Sequence, residues 1–331
     1  MTEQDQLLHE HSRADLDYIQ DQILKWFSGD GRDLPWRHTR DPYRILVSEV
    51  MLQQTQVDRV LPKYHVFLKQ FPTLEALAAA STAEVIRAWA GLGYNRRAVN
   101  MQRTVRVVRD EFGGKFPKDV TTLRSLPGIG PYTAGAIACF AFEQDVAFID
   151  TNIRRVTQRL FIGPVESEVS ERQLLQVAER AIPPNQGWSW NQAIMELGAL
   201  VCTANNPACW RCSVQQFCRD YEARKQDDER IFDAKDVSSD IQKSHRVAER
   251  RQKYKRRVEQ PFEGSSRFYR GRVIDVLRQL SHDDHMTFEH LGAQIKEPFN
   301  DDDMPWLTKL VEGLTRDGLI MVEGDVVRLP H

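Results

Sequence analysis

The chain has 331 residues, 41% of them hydrophobic and 28% charged, with a formal net charge of −2. At about 100–200 residues per domain that length gives two or three domains with a substantial core. The longest apolar run, Ala134 to Phe142, is far shorter than the ~20 residues that span a bilayer, and the composition is globular, so membrane spanning and wholesale disorder are excluded.

The polar, acidic stretch Met1 to Asp17 has no apolar segment of the secretory kind, so a cytoplasmic protein is expected, with a flexible N-terminus over 1–15. Leu16, Ile19, Ile23, Leu24 and Phe27 then form one stripe of an amphipathic helix that stops at Ser28-Gly29-Asp30-Gly31. Thr73 to Trp89 predicts two short helices broken around Ser81. Met101, Val105, Val108 and Phe112 predict another, stopped by Gly113-Gly114, and Glu171 to Ile182 a further one, ended by Pro183-Pro184. No strand alternation competes with these patterns, so residues 16–220 are expected to be all-α. A charged linker follows over 221–264, whose segment 243–257 carries eight Lys or Arg against one Glu. Such a run reads as a solvated linker or surface helix, or as an arm that contacts phosphates. Over 265–331, helices at Arg272–Leu280, Thr287–Ile295 and Trp306–Thr315 and strands at Leu319–Val322 and Val326–Leu329 suggest a small winged-helix-like α+β module. Between His282 and Asp325 it carries eleven acidic and three basic residues. That balance suits a structural wing, or one that contacts a protein partner, better than a DNA reader.

Four of the five cysteines fall in C-x6-C-x2-C-x5-C order at Cys202, Cys209, Cys212 and Cys218. A disulfide framework fits a chain this long poorly, whereas four thiolates in one loop can converge on a metal centre. Zinc sites more often pair two short knuckles; a single x2 spacing with unequal wider gaps favours an iron–sulfur cubane. Cys139, inside the apolar run, reads as a small core residue.

Leu126-Pro127-Gly128-Ile129-Gly130-Pro131-Tyr132 reads as a helix, a glycine turn and a new helix, a form suited to a DNA phosphate. Asp150 follows an apolar segment at a helix start, where an Asp is most often a cap. Glu49 lies in a helix that mixes apolar residues with a polar patch, where a Glu is most often on the surface. Each residue alone favours the ordinary reading; their combination, in this order, does not.

With Leu34-Pro35-Trp36-Arg37, Ser48 to Val57, Gly91-Leu92-Gly93-Tyr94, the hairpin, Asn191 to Ala199 and the cysteine spacing, the chain resembles the helix-hairpin-helix DNA glycosylases that carry a [4Fe-4S] cluster, and among them the MutY-type adenine DNA glycosylases. The resemblance covers Leu16 to Arg219, about two-thirds of the chain. It implies two helical subdomains flanking a cleft, with an iron–sulfur loop at 202–218 whose ligands are the four clustered cysteines. It implies that Glu49 is the acid that protonates adenine at N7, which needs an enclosed site that raises its pKa, and that Asp150 is the carboxylate facing the sugar. Tyr132 stands where bifunctional relatives carry a Schiff-base lysine, so a monofunctional enzyme is expected; Tyr132 and Asn152 would help position the carboxylate. By the same matching Trp36, Arg37, Leu52 and Glu196 would shape the adenine pocket, Gln54 would reach the opposing strand and Tyr94 would wedge into the duplex. Gly128 and Gly130 would bind phosphate, and the cluster would brace Arg211 and Arg219 against DNA.

Two departures stand out. Asn95 follows Tyr94 where many members have a second tyrosine, and the segment after residue 264 leaves no room for the family's usual Nudix-like domain that reads 8-oxoguanine. The expectation is a monomeric glycosylase of base excision repair, cytoplasmic and nucleoid-associated, acting on double-stranded DNA with adenine opposite 8-oxoguanine or guanine. The alternatives are the same fold acting on thymine in G·T or on hypoxanthine, or a non-catalytic DNA-binding or redox-sensing relative. Retention of Glu49, Asp150 and Asn152 together argues against the last.

Overall fold

The computed structural model describes residues 11–164, 169–233, 262–281 and 284–331. The basic segment 243–257, most of the linker expected over 221–264 and residues 1–10 lie outside the described residues. Among the described residues no helix is long and apolar enough to cross a membrane, and the strands all lie beyond residue 285. The chain divides into two units. One holds the residues up to Arg40 and resumes at Pro131; the other begins at Asp41, ends its first pass at Gly130 and takes in the C-terminal module.

The first unit opens with α1 (Arg13–Asp30). This helix starts ahead of the body expected from Leu16, because Ser12 and Asp15 form a reciprocal capping box that satisfies amides of the first turn. The second unit begins with α2 (Pro42–Leu52) and α3 (Val57–Gln70). The two short helices expected around Ser81 follow as α4 (Leu74–Ala79) and α5 (Thr82–Ala88), the second capped by Ser81 and Glu84. Next come α6 (Arg96–Glu111) and α7 (Val120–Ser125). Helix α6 packs on α2, α4 and α5, around a core that includes Met101, Leu77, Ile86 and the fully buried Trp89.

Back in the first unit, α8 (Pro131–Phe142) is buried from Thr133 to Phe140, as a helix apolar all round must be. Helix α9 (Thr151–Thr157) runs into a π turn over Gln158–Ile162. It packs on α10 (Glu171–Ala181) and α11 (Gly187–Leu200), and α11 in turn packs on α1. After the cysteine loop, α12 (Arg219–Asp233) carries helix into the segment whose charged composition reads as linker.

The C-terminal module comprises α13 (Ser266–Leu277), β1 (Met286–Thr287), α14 (Phe288–Ile295), α15 (Met304–Arg316), β2 (Met321–Glu323) and β3 (Val326–Arg328). The strands form an antiparallel sheet of order β1-β3-β2, with Val327 opposite both Met286 and Val322. Helix α13 begins six residues earlier than its apolar pattern suggests, since Ser265 caps it by accepting from the Phe268 amide. Its core is shared: Ile274, Leu277, Leu307, Leu310 and Val327 pack with Ala83 and Ile86 of α5 and Val99 of α6, and the Ala83 amide donates to the carbonyl of Pro330 at 2.8 Å. The module is therefore built onto the helices of the second unit.

Candidate active site

In the second unit, Asp41 starts α2 by accepting from the Tyr43 amide, and Pro42 occupies the first turn. This places Glu49 among Ile45, Leu46, Val50 and Met51, where it is only 3% exposed. The surface reading of this residue therefore fails. Leu52 is half-buried at the helix end and Gln54 is exposed, with φ of +56°. In the glycine loop, Gly91, Gly93 and Tyr94 also lie at positive φ, and Tyr94 is half-exposed. Non-glycine residues in this region are uncommon and cluster at functional sites.

One residue that the sequence did not single out holds both loops. The Arg97 guanidinium donates to the carbonyls of Val50 (2.8 Å), Met51 (3.2 Å) and Gln53 at the end of α2, and to Leu92 (3.0 Å) and Gly93 (3.2 Å) in the glycine loop. A cation suits the carbonyl end of a helix, and burial lowers the Arg97 pKa to about 10. In the hairpin, Gly128 has φ of +76°, and a Cβ there would stand 2.7 Å from that of Asn100; Gly130 faces open space. Gly128 is thus required by the turn, whereas Gly130 leaves the backbone approachable.

In the first unit, Asp150 is the cap that its position suggests: Oδ1 accepts from the Ile153 amide at 2.6 Å and Oδ2 from Asn152 Nδ2 at 3.0 Å. Burial nevertheless raises its pKa, more than these donors lower it. Asn152 Oδ1 accepts from Arg155 Nη2 at 2.8 Å, and the same guanidinium donates to the carbonyls of Gly198 (2.7 Å) and Cys202 (2.6 Å). Arg155 therefore connects Asn152 to the first residue of the cysteine loop. The half-buried Tyr132 packs edge-on to Phe148, two residues before Asp150, with ring centroids 5.4 Å apart.

Trp36 and Arg37 share the 3-10 turn Pro35–Arg37, where Trp36 is buried. Glu196, on α11, is 1% exposed and accepts from Arg32 Nε (2.7 Å), Arg32 Nη2 (2.8 Å) and Arg37 Nη2 (2.8 Å). Burial pushes this carboxyl up, but the two guanidiniums outweigh it and hold the pKa at about 2. Glu196 is thus an anchor for Arg37, which also donates to Gln192 Oε1 at 3.0 Å. Arg32, Arg97 and Arg155 all stand beside quoted motifs, and that adjacency was the only sequence signal for them.

Cys202, Cys209, Cys212 and Cys218 are free and line one small cavity of about 30 Å³ together with Arg159, Tyr221 and Arg224. Among the described residues no group of three or more His, Cys, Asp or Glu side chains is gathered as a single-ion site. Burial pushes the Cys212 thiol up to about 11 and the Cys218 thiol up to about 12. Arg159 donates to Cys202 Sγ at 3.5 Å and Arg224 to Cys209 Sγ at 3.9 Å. Four thiols around one cavity, with guanidiniums at two of them, fit an anionic cluster held at its corners. Cys139 is buried in α8, as expected, near Asn191 Nδ2.

Comparison with known proteins adds to this geometry. The model of the HhH-GPD superfamily of base excision DNA repair proteins matches residues 47–180. An adenine DNA glycosylase of Mycolicibacterium smegmatis is 40% identical over 311 residues, covering 92% of this chain and 93% of that protein. Among solved structures, a thermostable thymine-DNA glycosylase is 32% identical with a TM-score of 0.59, over 63% of this chain and 97% of that one. A non-covalent endonuclease III–DNA complex shares the fold, with a TM-score of 0.55 at 23% identity, over 68% of this chain and all of that one.

Proposed function

The chain belongs to the adenine DNA glycosylases, base excision repair hydrolases of the HhH-GPD superfamily, and from that premise we propose that it is monofunctional and removes adenine mispaired with 8-oxoguanine or guanine in double-stranded DNA. The observation that carries the reading is the burial of Glu49, 3% exposed in a largely apolar helix, together with a half-buried Asp150 oriented by the Ile153 amide and Asn152. Adenine must leave the stack before its bond is reachable. Glu49 then gives a proton to N7, the bond between C1′ and N9 breaks with its electron pair going to adenine, and Asp150 steadies the cationic sugar until water adds and releases a proton. A hydrolysis of this kind leaves an abasic site.

Tyr132 supplies no amine, and the hairpin of this chain carries no lysine at that position. Strand cleavage through a Schiff base is therefore not expected. Duplexes carrying A, T or hypoxanthine opposite G and 8-oxoguanine test the whole reading: adenine should be released fastest, and borohydride should trap no covalent adduct. Release of thymine or hypoxanthine in preference, or an efficient trap, would overturn it.

Asn152 acts through Asp150, and its position is confined. A Cβ on Gly198 would stand 2.7 Å from that of Asn152. A displacement of about 1 Å at a catalytic group can cost about 10²-fold. Gly198→Ala is therefore expected to slow single-turnover adenine release by that order while the helical circular dichroism is retained.

The four clustered cysteines would hold a [4Fe-4S] cluster, which supplies cross-linking of the loop and a redox-active centre when bound. The chain's own contribution is Arg159, which meets both ends of 202–218 by donating to Cys202 Sγ at 3.5 Å and accepting at its carbonyl from Cys218 Sγ at 3.4 Å, and the exposed Arg211, which would meet phosphate. The site of action is the DNA of the nucleoid.

A further inference from the structure

The C-terminal module has no part in the reaction just described, and Asn95 departs from the family pattern; the two meet. Asn95 is the N-cap of α6, yet its side chain makes no capping bond. Its Oδ1 accepts instead from Arg278 Nη2 at 2.8 Å, just beyond α13. The Arg278 side chain is 11% exposed, and its Nε also donates to the carbonyl of Ile86 at 3.0 Å. One residue earlier in the loop, the Tyr94 hydroxyl lies 3.3 Å from Arg267 Nη1. One residue later, Arg96 pairs at 3.4 Å with Asp317, which is itself held by Arg270 at 2.5 Å. Three consecutive residues of the glycine loop and of the first turn of α6 are thus each tied to the module. Tyr94 is the non-glycine residue of this loop at positive φ, a conformation that persists only where its surroundings hold it.

We propose that the C-terminal module is a positioning element for the wedge: Arg278 grips Asn95 and Arg267 meets Tyr94, so the module sets where the tyrosine stands when the enzyme probes a mispair. Asn95, in the place of the second tyrosine, is the residue through which this is done. The inference rests on the reading of Tyr94 as the wedge.

The test is the ratio of Kd for two duplexes, one with cleavage-resistant 2′-fluoro-adenosine opposite 8-oxoguanine and one with the same nucleoside opposite thymine, measured on the full chain. Loss of a hydrogen bond to a charged group is expected to lower this preference about tenfold in Asn95→Ala. Arg278→Gln should do the same, and the double variant should lose no more than either single change. If Asn95→Ala keeps the wild-type ratio while Tyr94→Ala loses it, the positioning role is wrong and the wedge reading stands. If Tyr94→Ala itself keeps the ratio, both fall. Additive losses in the double variant would also overturn the inference. Should Arg278→Gln fail to fold, Asn95→Ala alone decides, since that side chain lies outside the module.

Discussion

Replacing Glu49 with Gln is expected to slow adenine release by about 10²–10⁴-fold in single turnover, the usual contribution of a positioned general acid, while affinity for the mispaired duplex is kept. The substitution preserves volume and leaves a polar group in place, so the helix core of Ile45, Leu46 and Met51 is undisturbed. The loss is then one of proton supply. If the variant releases adenine at the wild-type rate, the acid lies elsewhere and the burial of Glu49 is structural only.

The second large effect falls on stability. Glu196→Ala leaves Arg37, with a side chain 9% exposed, and Arg32, 34% exposed, without their shared carboxylate. Removing one partner of a buried pair typically costs about 3–5 kcal/mol, so a fall in Tm of about 10 °C is expected. The charge has its own signature. The carboxyl titrates at about 2 in the folded chain against an ordinary 4.5. Its contribution is therefore fully present above pH 4.5 and is lost as the pH falls through 2. Glu196→Gln should flatten the acid limb of the stability curve in that window. An unchanged limb would show that the two arginines do not depend on this carboxylate.

The helices of the catalytic portion were legible because their apolar residues recur at the helical period and because Ser81 and the Gly31 stop punctuate them. The gathering of the four cysteines was legible for a different reason: close spacing keeps them in one loop, where they line one cavity, and needs no knowledge of tertiary structure. The burial of Glu49 was not legible, since α2 is apolar on most of its faces and pattern alone does not tell which side meets the core. Asp150 is the cap that its position predicts, and burial also raises its pKa, which the pattern of the sequence did not tell. Arg97 and Arg155 were missed because their acceptors are mostly backbone carbonyls, which every residue carries. In the module, β1 has only two residues and exists through its pairing with β3. The early start of α13 was hidden by Arg267, Arg270 and Arg272, which interrupt any apolar stripe.

The shared core of α5, α6 and the module also bears on how the chain is made. Ala83, Ile86 and Val99 leave the ribosome more than two hundred residues before Val327 and Leu329. Until then that apolar face has no cover, and the contacts that close it are among the most distant in sequence, which slows consolidation and prolongs exposure to aggregation. A premature stop codon in the last sixty residues would therefore unsettle the helix bearing Asn95 as well as the module, and such a truncated chain should be a target for chaperones and proteases.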